Sequence, residues 1–306
     1  MYKYILEPYS GKKSRFTCPA CGMDYQFTRY LEVDTGNYLA EYVGICNHAN
    51  SCGYHFPPGK YFQTYSNSTG TDLKQQLKAR NYLQFKKKSN NNPDYIEPSH
   101  MNNTLINYTE NKLFQFLKTI IDTATLEKIA RQYRLGTCNH FGVGTTIFWQ
   151  IDITGRIRTG KMIKYDPQTG QRVKKPFPLT NWVHSVHYSK TFNLCQCLFG
   201  EHLLNKDPLL PVALVESEKT AIIAKALIPD YLWLATGGLK EFKQSKLEVL
   251  KGRRVVAYPD LGAYNYWLKC LTKLNIHITI SDFLEKNSSK EQHDKGMDVA
   301  DFLLGG

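Results

Sequence analysis

A chain of 306 residues is longer than one compact core of ordinary size needs, so two or three modules are expected. Hydrophobic residues make up 42%, a globular composition, and no unbroken apolar run is long enough to cross a bilayer, so no membrane partner is expected. The formal net charge is +12, with 13 basic against 5 acidic residues between 101 and 200 and an even 14 against 14 from 201 onward. The excess in the middle points to a polyanion, where each phosphate met by Lys or Arg releases counterions, or more plainly to a soluble basic surface.

The opening MYKYILEPYSGKK has neither an apolar stretch nor a small-residue cleavage site, so the chain reads as cytoplasmic. Eight cysteines in such a compartment argue for metal or buried thiols rather than disulfides. Residues 1–63 carry short alternating runs such as YLAEYVGIC, expected as β-hairpins around a small site. Cys18 and Cys21 form C-x2-C in FTCPACG, and Cys46 and Cys52 form a second, wider pair, with 24 residues between the pairs. Each pair folds two thiolates onto one tetrahedral Zn²⁺, which predicts a structural zinc ribbon with no open position for catalytic water. The width of the second pair leaves His48 or His55 as an alternative ligand there.

Residues 64–104 shift to Ser, Asn, Lys and Pro and are expected as a flexible linker, with one short helix around DLKQQLKARNYL. Its Lys86, Lys87 and Lys88 read as a solvated charge run or, alternatively, as phosphate contacts. A basic α+β domain is expected over 105–208. NKLFQFLKTIID and ATLEKIARQYRL repeat apolar residues at three and four, the spacing of two amphipathic helices. The following TTIFWQIDITGRIRTGKMIKYDPQTGQRVK has turns at Thr154-Gly155 and Thr169-Gly170 between antiparallel strands. Arg156, Arg158, Lys161 and Lys164 there, with Tyr165, Phe177, Trp182 and Tyr188 interleaved, have the composition of a single-strand track. Cys138, Cys195, Cys197 and Cys270 lack metal spacing and are expected as buried thiols.

From residue 209 to 306, strands PVALVE, YLWLAT, RRVVAYPD and IHITISDFL alternate with helices EKTAIIAKAL, GGLKEFKQSKLEVL and GAYNYWLKCLTKL. This predicts a mostly parallel sheet with its chemistry beyond the carboxyl ends of the strands. Glu216 and Asp260 end two of those strands and Asp298 opens the closing segment, an oxygen set suited to Mg²⁺ or Mn²⁺. Lys219 joins the candidate phosphate contacts. Gly237-Gly238 is read as a tight strand-to-helix turn, or as backbone N–H groups offered to a phosphate.

VALVESEKTAIIA, ATGGL, VVAYPDLGAYNYW and GMDVADFLL resemble the Toprim domain of primases, topoisomerases and related nucleases. With the leading zinc ribbon and the basic segment between, the order of modules resembles primase-like proteins of bacterial mobile elements and phages. The resemblance implies that Glu216 and Asp260 are catalytic and hold Mg²⁺, and that the chain takes nucleotides and single-stranded DNA to make short primers. The family pairs two aspartates across one residue, whereas this sequence reads Asp260-Leu261-Gly262, so the second carboxylate is missing. That departure leaves an alternative open: a catalytically impaired single-strand-binding protein of primase descent. No G-x-x-x-x-G-K-[ST] loop occurs, so unwinding falls to a separate helicase.

Overall fold

A computed structural model describes residues 3–47, 52, 54–65, 92–174, 178–188 and 192–305. They fall into two compact units, Met1–Asn92 and Pro93–Gly306.

In the first unit, β1 (Tyr4–Leu6), β2 (Phe27–Glu32), β3 (Gly44–Cys46) and β4 (His55–Phe56) form one antiparallel sheet in sequence order. The expected hairpins are therefore present. Their small core is Phe27, Val43, Tyr54 and Phe56 with the thiols of Cys18 and Cys46, all buried. Gly44 is required by that packing, because a Cβ there would lie 2.2 Å from the Thr28 carbonyl oxygen and 2.5 Å from the Phe27 ring. Pro58, whose fixed φ suits a first helical turn, opens α1 (Pro58–Tyr65), a helix not foreseen from the hairpin pattern.

Of the stretch read as linker, residues 66–91 lie outside the described residues, and the helix expected around DLKQQLKARNYL and Lys86, Lys87 and Lys88 lie there too. Residues 93–104 pack in the second unit: Ile96 bridges to Ile157, and α2 (Pro98–Asn102) buries Met101. The two amphipathic helices follow as α3 (Lys112–Leu117) and α4 (Thr123–Gln132). Each starts on a side-chain cap, with Asn111 accepting from Phe114 N and Asp122 from Thr125 N. In α4 the buried Leu126, Ile129 and Ala130 sit three and four apart, as the periodicity requires.

Strands β5 (Leu135–Cys138), β6 (Thr145–Ile151), β7 (Ile157–Ile163) and β8 (Thr180–Trp182) make an antiparallel sheet, followed by α5 (Val183–His187). Every residue of β6 is buried. One of its faces places Phe148 in the main core, and the other places Ile147, Trp149 and Ile151 against Ile96, Met101, Ile157, Met162 and Val183. Covered on both faces, β6 also buries the polar Thr145, Thr146 and Gln150.

The expected parallel sheet is formed by β9 (Val212–Val215), β10 (Leu232–Ala235), β11 (Val255–Ala257) and β12 (Thr279–Ile280), in the order β10-β9-β11-β12 with every pairing parallel. It is flanked by α6 (Glu218–Leu227), α7 (Gln244–Leu247), α8 (Tyr264–Leu271), α9 (Phe283–Asn287), α10 (Lys290–Lys295) and α11 (Val299–Leu303). The single helix expected over GGLKEFKQSKLEVL is instead a 3-10 turn at Leu239–Glu241, then α7, then a second 3-10 turn at Glu248–Leu250. The break at Phe242 lets its ring bury against Trp267, with ring centroids 4.4 Å apart. No helix among the described residues is long and apolar enough to cross a membrane.

Candidate functional site

The first unit carries a four-thiol cluster. The backbone turns at Cys18, where Cys18 N donates to Met23 O and Gly22 N to Cys18 O, with Gly22 in the left-handed region. β3 delivers Cys46, and Cys52 arrives from the connection to β4. All four sulfurs lie within 4.8 Å of one another, with Cys18–Cys52 at 3.7 Å and Cys21–Cys46 at 3.9 Å. Sulfurs about 2.3 Å from a tetrahedral Zn²⁺ stand about 3.8 Å apart, so the set fits a structural zinc. His55 lies off the cluster: its Nε2 bonds the Tyr30 hydroxyl at 2.9 Å and its ring stacks on Tyr30. His48 lies outside the described residues.

The second site is a polar cleft at the carboxyl ends of β9, β10 and β11. Lys161, Ile163, Tyr165, Arg172, Glu216 and Asp260 line it together with Ser217, Glu218, Gly237 and Gly238. Glu216 follows β9 directly, Gly237 stands two residues past β10, and Asp260 three residues past β11, so the sheet register brings them together. Glu216 is 8% exposed, and its Oε1, like Asp260 Oδ1, has no hydrogen-bond partner within the protein. Burial, then the charge of Asp298, pushes the Glu216 carboxyl up to about 7, against the Asp260 backbone hydrogen bond. Burial, then the charges of Glu216, Asp298 and Asp301, pushes Asp260 up to about 8, with Arg172 pulling the other way. Two neighbouring carboxyls, one buried and one half-buried, thus resist joint ionisation, and a cation placed between them would reverse that direction.

Asp298 faces this pair mainly as a charge. It is the N-cap of α11, with Oδ1 accepting from Ala300 N and Asp301 N, and Oδ2 accepting from the Thr220 hydroxyl. Among the described residues only the four cysteines bring three or more candidate ligand atoms within 4.8 Å, so the acids form an open pair rather than a closed cage. At the missing second acid, Gly262 has φ +84°, and its N–H donates to Glu285 Oε1 at 3.1 Å.

The basic candidates separate. Lys161 lines the cleft, but it is a buried partner rather than a free surface cation: Nζ donates to both Glu218 oxygens at 3.1 Å and to Gly237 O at 3.0 Å. Arg156 and Arg158 both bond Asp152 Oδ2 and sit over the Tyr95 ring. Burial pushes Asp152 up, yet its bonds from Thr154, the Arg156 backbone and Arg158 hold it below the usual carboxylate range. Lys164 donates to Val143 O, and Lys219 donates to Gly170 O at 3.2 Å.

Two sequence expectations fail here. Tyr165 offers no exposed face for a base, because it is buried edge-on against Phe148, while Trp182 and Tyr188 are half-buried and Phe177 is outside the described residues. Cys195 is exposed rather than a buried thiol; Cys197 is buried, and Cys138 and Cys270 are half-buried. Arg172 was missed; it reaches the cleft through its bridge to Tyr165 across the Thr169-Gly170 turn. Glu218, which the sequence offers with Asp298 and Asp282 as an acid for a second metal, lines the cleft but is bonded to Lys161 through both oxygens.

A zinc beta-ribbon finger family matches residues 2–67, and a domain of unknown function, DUF6371, matches residues 111–261. No curated protein matches the chain. Among solved structures it is similar to the primase fragment of the bacteriophage T7 primase-helicase protein, at 9% identity and TM-score 0.39, covering 92% of this chain and 98% of that one. It is also similar to the zinc-binding and RNA polymerase domains of Aquifex aeolicus primase, at 12% identity and TM-score 0.37, covering 98% and 83%. The E. coli primase catalytic core is similar at 10% identity and TM-score 0.37, covering 68% of this chain and 81% of that one.

Proposed function

We propose that the chain is a primase-like protein that binds single-stranded DNA and joins nucleotides into short primers, in the replication of a mobile element or phage. The observation that carries this reading is the pair Glu216, buried, and Asp260, half-buried, each with a sealed carboxyl oxygen that has no partner within the protein, facing Lys161 and Arg172 across one cleft. Oxygen donors opposite cations suit a divalent ion shared with phosphate, since Mg²⁺ prefers one or two carboxylates plus phosphate and water to a closed protein cage. Bound there, Mg²⁺ or Mn²⁺ would favour ionisation of the attacking hydroxyl and stabilise the departing pyrophosphate. Glu216 and Asp260 would hold the ion as carboxylates, having released their protons to solvent, and Asp298 and Asp301 would add to the negative field. Arg172 would meet the phosphate charge, while Lys161, with its three N–H groups on Glu218 and Gly237, would add positive charge to the cleft without a direct contact. The module order supports the same reading, with the zinc ribbon selecting template, the basic sheet guiding the strand and a separate helicase opening the duplex. On this reading residues 1–63 are the zinc ribbon, 105–208 the basic domain, against which 93–104 pack, and 209–306 a Toprim-like domain.

Labelled ribo- and deoxyribonucleotides on single-stranded DNA, with zinc-loaded protein and Mg²⁺ or Mn²⁺, test it. Short products are expected, and Glu216→Gln is expected to abolish them. A second reading is favoured by Gly262, which supplies no carboxylate where the Toprim family has one: single-strand binding without synthesis. Tight DNA binding with no incorporation under either metal would select it.

A further inference from the structure

We infer that the space beside Gly237 is a seat for one neutral hydroxyl oxygen, held by Gln150, Glu218 and Lys246. Gln150, on β6, is 1% exposed, and neither its amide nitrogen nor its amide oxygen has a partner within the protein. A buried amide is nearly always hydrogen-bonded, so a bare one on the wall of a polar site points to something that completes it. The geometry shows where. A Cβ built on Gly237 would stand 3.3 Å from Glu218 Oε1, 3.9 Å from Gln150 Nε2 and 3.9 Å from Lys246 Nζ. Three polar groups from β6, α6 and α7 thus converge on one point, and the chain has a glycine there, with φ +88°, that places no atom in it.

The chemistry of the three groups selects the occupant. Lys246 has a side chain 1% exposed, donates to Thr236 O at 2.8 Å and pairs with Glu241 at 2.9 Å, which leaves at least one ammonium N–H to give. Gln150 Nε2 also donates, whereas Glu218 Oε1 accepts. An anion is repelled by Glu218, and a cation is repelled by Lys246 and by Lys161, which is bonded to the same carboxylate. A carbon group leaves Gln150 bare. An oxygen that accepts from Gln150 Nε2 and Lys246 Nζ and donates to Glu218 Oε1 satisfies the atom each group turns to the point, and a site with this number of polar partners is what a buried water needs.

The same oxygen has two possible sources. Gln150 and Lys246 are sealed, but Glu218 and Gly237 also line the cleft, so a water or a sugar hydroxyl of a nucleotide in the cleft supplies the chemistry. The second source rests on the nucleotide-binding reading above; the seat itself does not.

A crystal structure of the full zinc-loaded chain without nucleotide, together with melting of Gln150→Leu, tests the seat. Expected is an oxygen within hydrogen-bond reach of Glu218 Oε1, Gln150 Nε2 and Lys246 Nζ, and a melting temperature lowered by about 2 °C or more in Gln150→Leu. The inference is overturned if the space holds no oxygen and Gln150→Leu melts at or above the wild type, because an apolar side chain of similar shape relieves a truly bare amide. Calorimetric binding of ribo- and deoxyribonucleoside triphosphates with Mn²⁺ then separates the sources. A ribonucleotide preference of about tenfold or more that Gln150→Leu removes assigns the seat to the sugar. Equal binding with the oxygen present assigns it to water. No nucleotide binding at all would remove the proposed function and leave the seat standing on the density.

Discussion

Lys161 on β7 and Glu218 at the head of α6 form a bidentate ion pair, Nζ standing 3.1 Å from each carboxylate oxygen, with side chains 11% and 3% exposed. Their sequence separation is 57 residues, and the pair joins the antiparallel sheet to the parallel one at the cleft wall. Lys161 also holds the Gly237 carbonyl, so one ammonium group fixes both the start of α6 and the turn after β10.

Breaking that pair from one side should cost more than removing it whole. Lys161→Met leaves Glu218 buried and uncompensated, and Glu218→Gln leaves Lys161 so; each is expected to lower unfolding free energy by about 3–5 kcal/mol. The double variant is expected to recover a substantial part, giving a clear coupling in a double-mutant cycle measured by urea denaturation. Additive losses would mean that the two side chains do not share their energy.

The four-thiol cluster predicts one zinc per chain and a first unit that depends on it. Its core is small, Phe27, Val43, Tyr54 and Phe56 against Cys18 and Cys46, while a structural zinc in finger peptides contributes about 10–16 kcal/mol. Cys18→Ser is expected to abolish zinc retention and the folded signals of β1–β4 in NMR spectra. His55→Ala is expected to keep stoichiometric zinc, because His55 is bonded to Tyr30 away from the sulfurs. Loss of zinc in His55→Ala would reassign the ligand set.

The acidic pair makes stability depend on pH in a definite direction. Glu216 and Asp260 are raised to about 7 and about 8, above the usual carboxylate range near 4, so the folded protein holds protons that the unfolded chain releases. Their contribution is fully present below about pH 4 and is lost as pH rises through about 8. All four tryptophans lie in the second unit, so Trp fluorescence reports its melting without the zinc module. With zinc bound and no other divalent ion, that melting temperature is expected to fall between pH 6 and pH 9, and Asp260→Asn is expected to flatten the fall. Added Mg²⁺ should oppose it, more strongly at the alkaline end, where the carboxylates are free to bind. A profile identical in Asp260→Asn would mean that other groups set the slope.

How much of this was legible in the sequence follows from the range of the interactions. The cysteine pairs are local and carry their own spacing, so the zinc site could be read directly. The strand-ending Glu216 and Asp260 could be read because a parallel sheet aligns the ends of strands that are each recognisable alone. Burial of Tyr165, the Asp152 anchor for Arg156 and Arg158, and the Lys161–Glu218 pair could not, because composition gives residue types but not which face of β7 meets which neighbour. The helix expected after Gly238 was interrupted for a similar reason: the ring that Phe242 packs on, Trp267, is 25 residues away and belongs to another element.

Salt dependence should distinguish cations that touch single-stranded DNA from cations committed to the fold. Each contacted phosphate contributes about 0.7 to the slope of log K against log salt for single strands. Arg156 has a side chain 49% exposed, with its guanidinium between Asp152 and the Tyr95 ring, so it retains donors for a phosphate. Lys161, by contrast, spends its ammonium on Glu218 and Gly237. Arg156→Ala is therefore expected to reduce the slope by about one contact's worth, about 0.7, and to weaken binding alike across sequences. Lys161→Met is expected to leave the slope unchanged when no divalent ion or nucleotide is present. Arg158→Ala should differ from Arg156→Ala, since it strips a buried Asp152 of its closest guanidinium, at 2.8 Å, and like Lys161→Met should destabilise the second unit, so the slopes of both are read well below their melting temperatures. Fluorescence anisotropy with a short single strand over a salt series, with melting of each variant, checks all three. An unchanged slope in Arg156→Ala would move the DNA path off the β6–β7 turn.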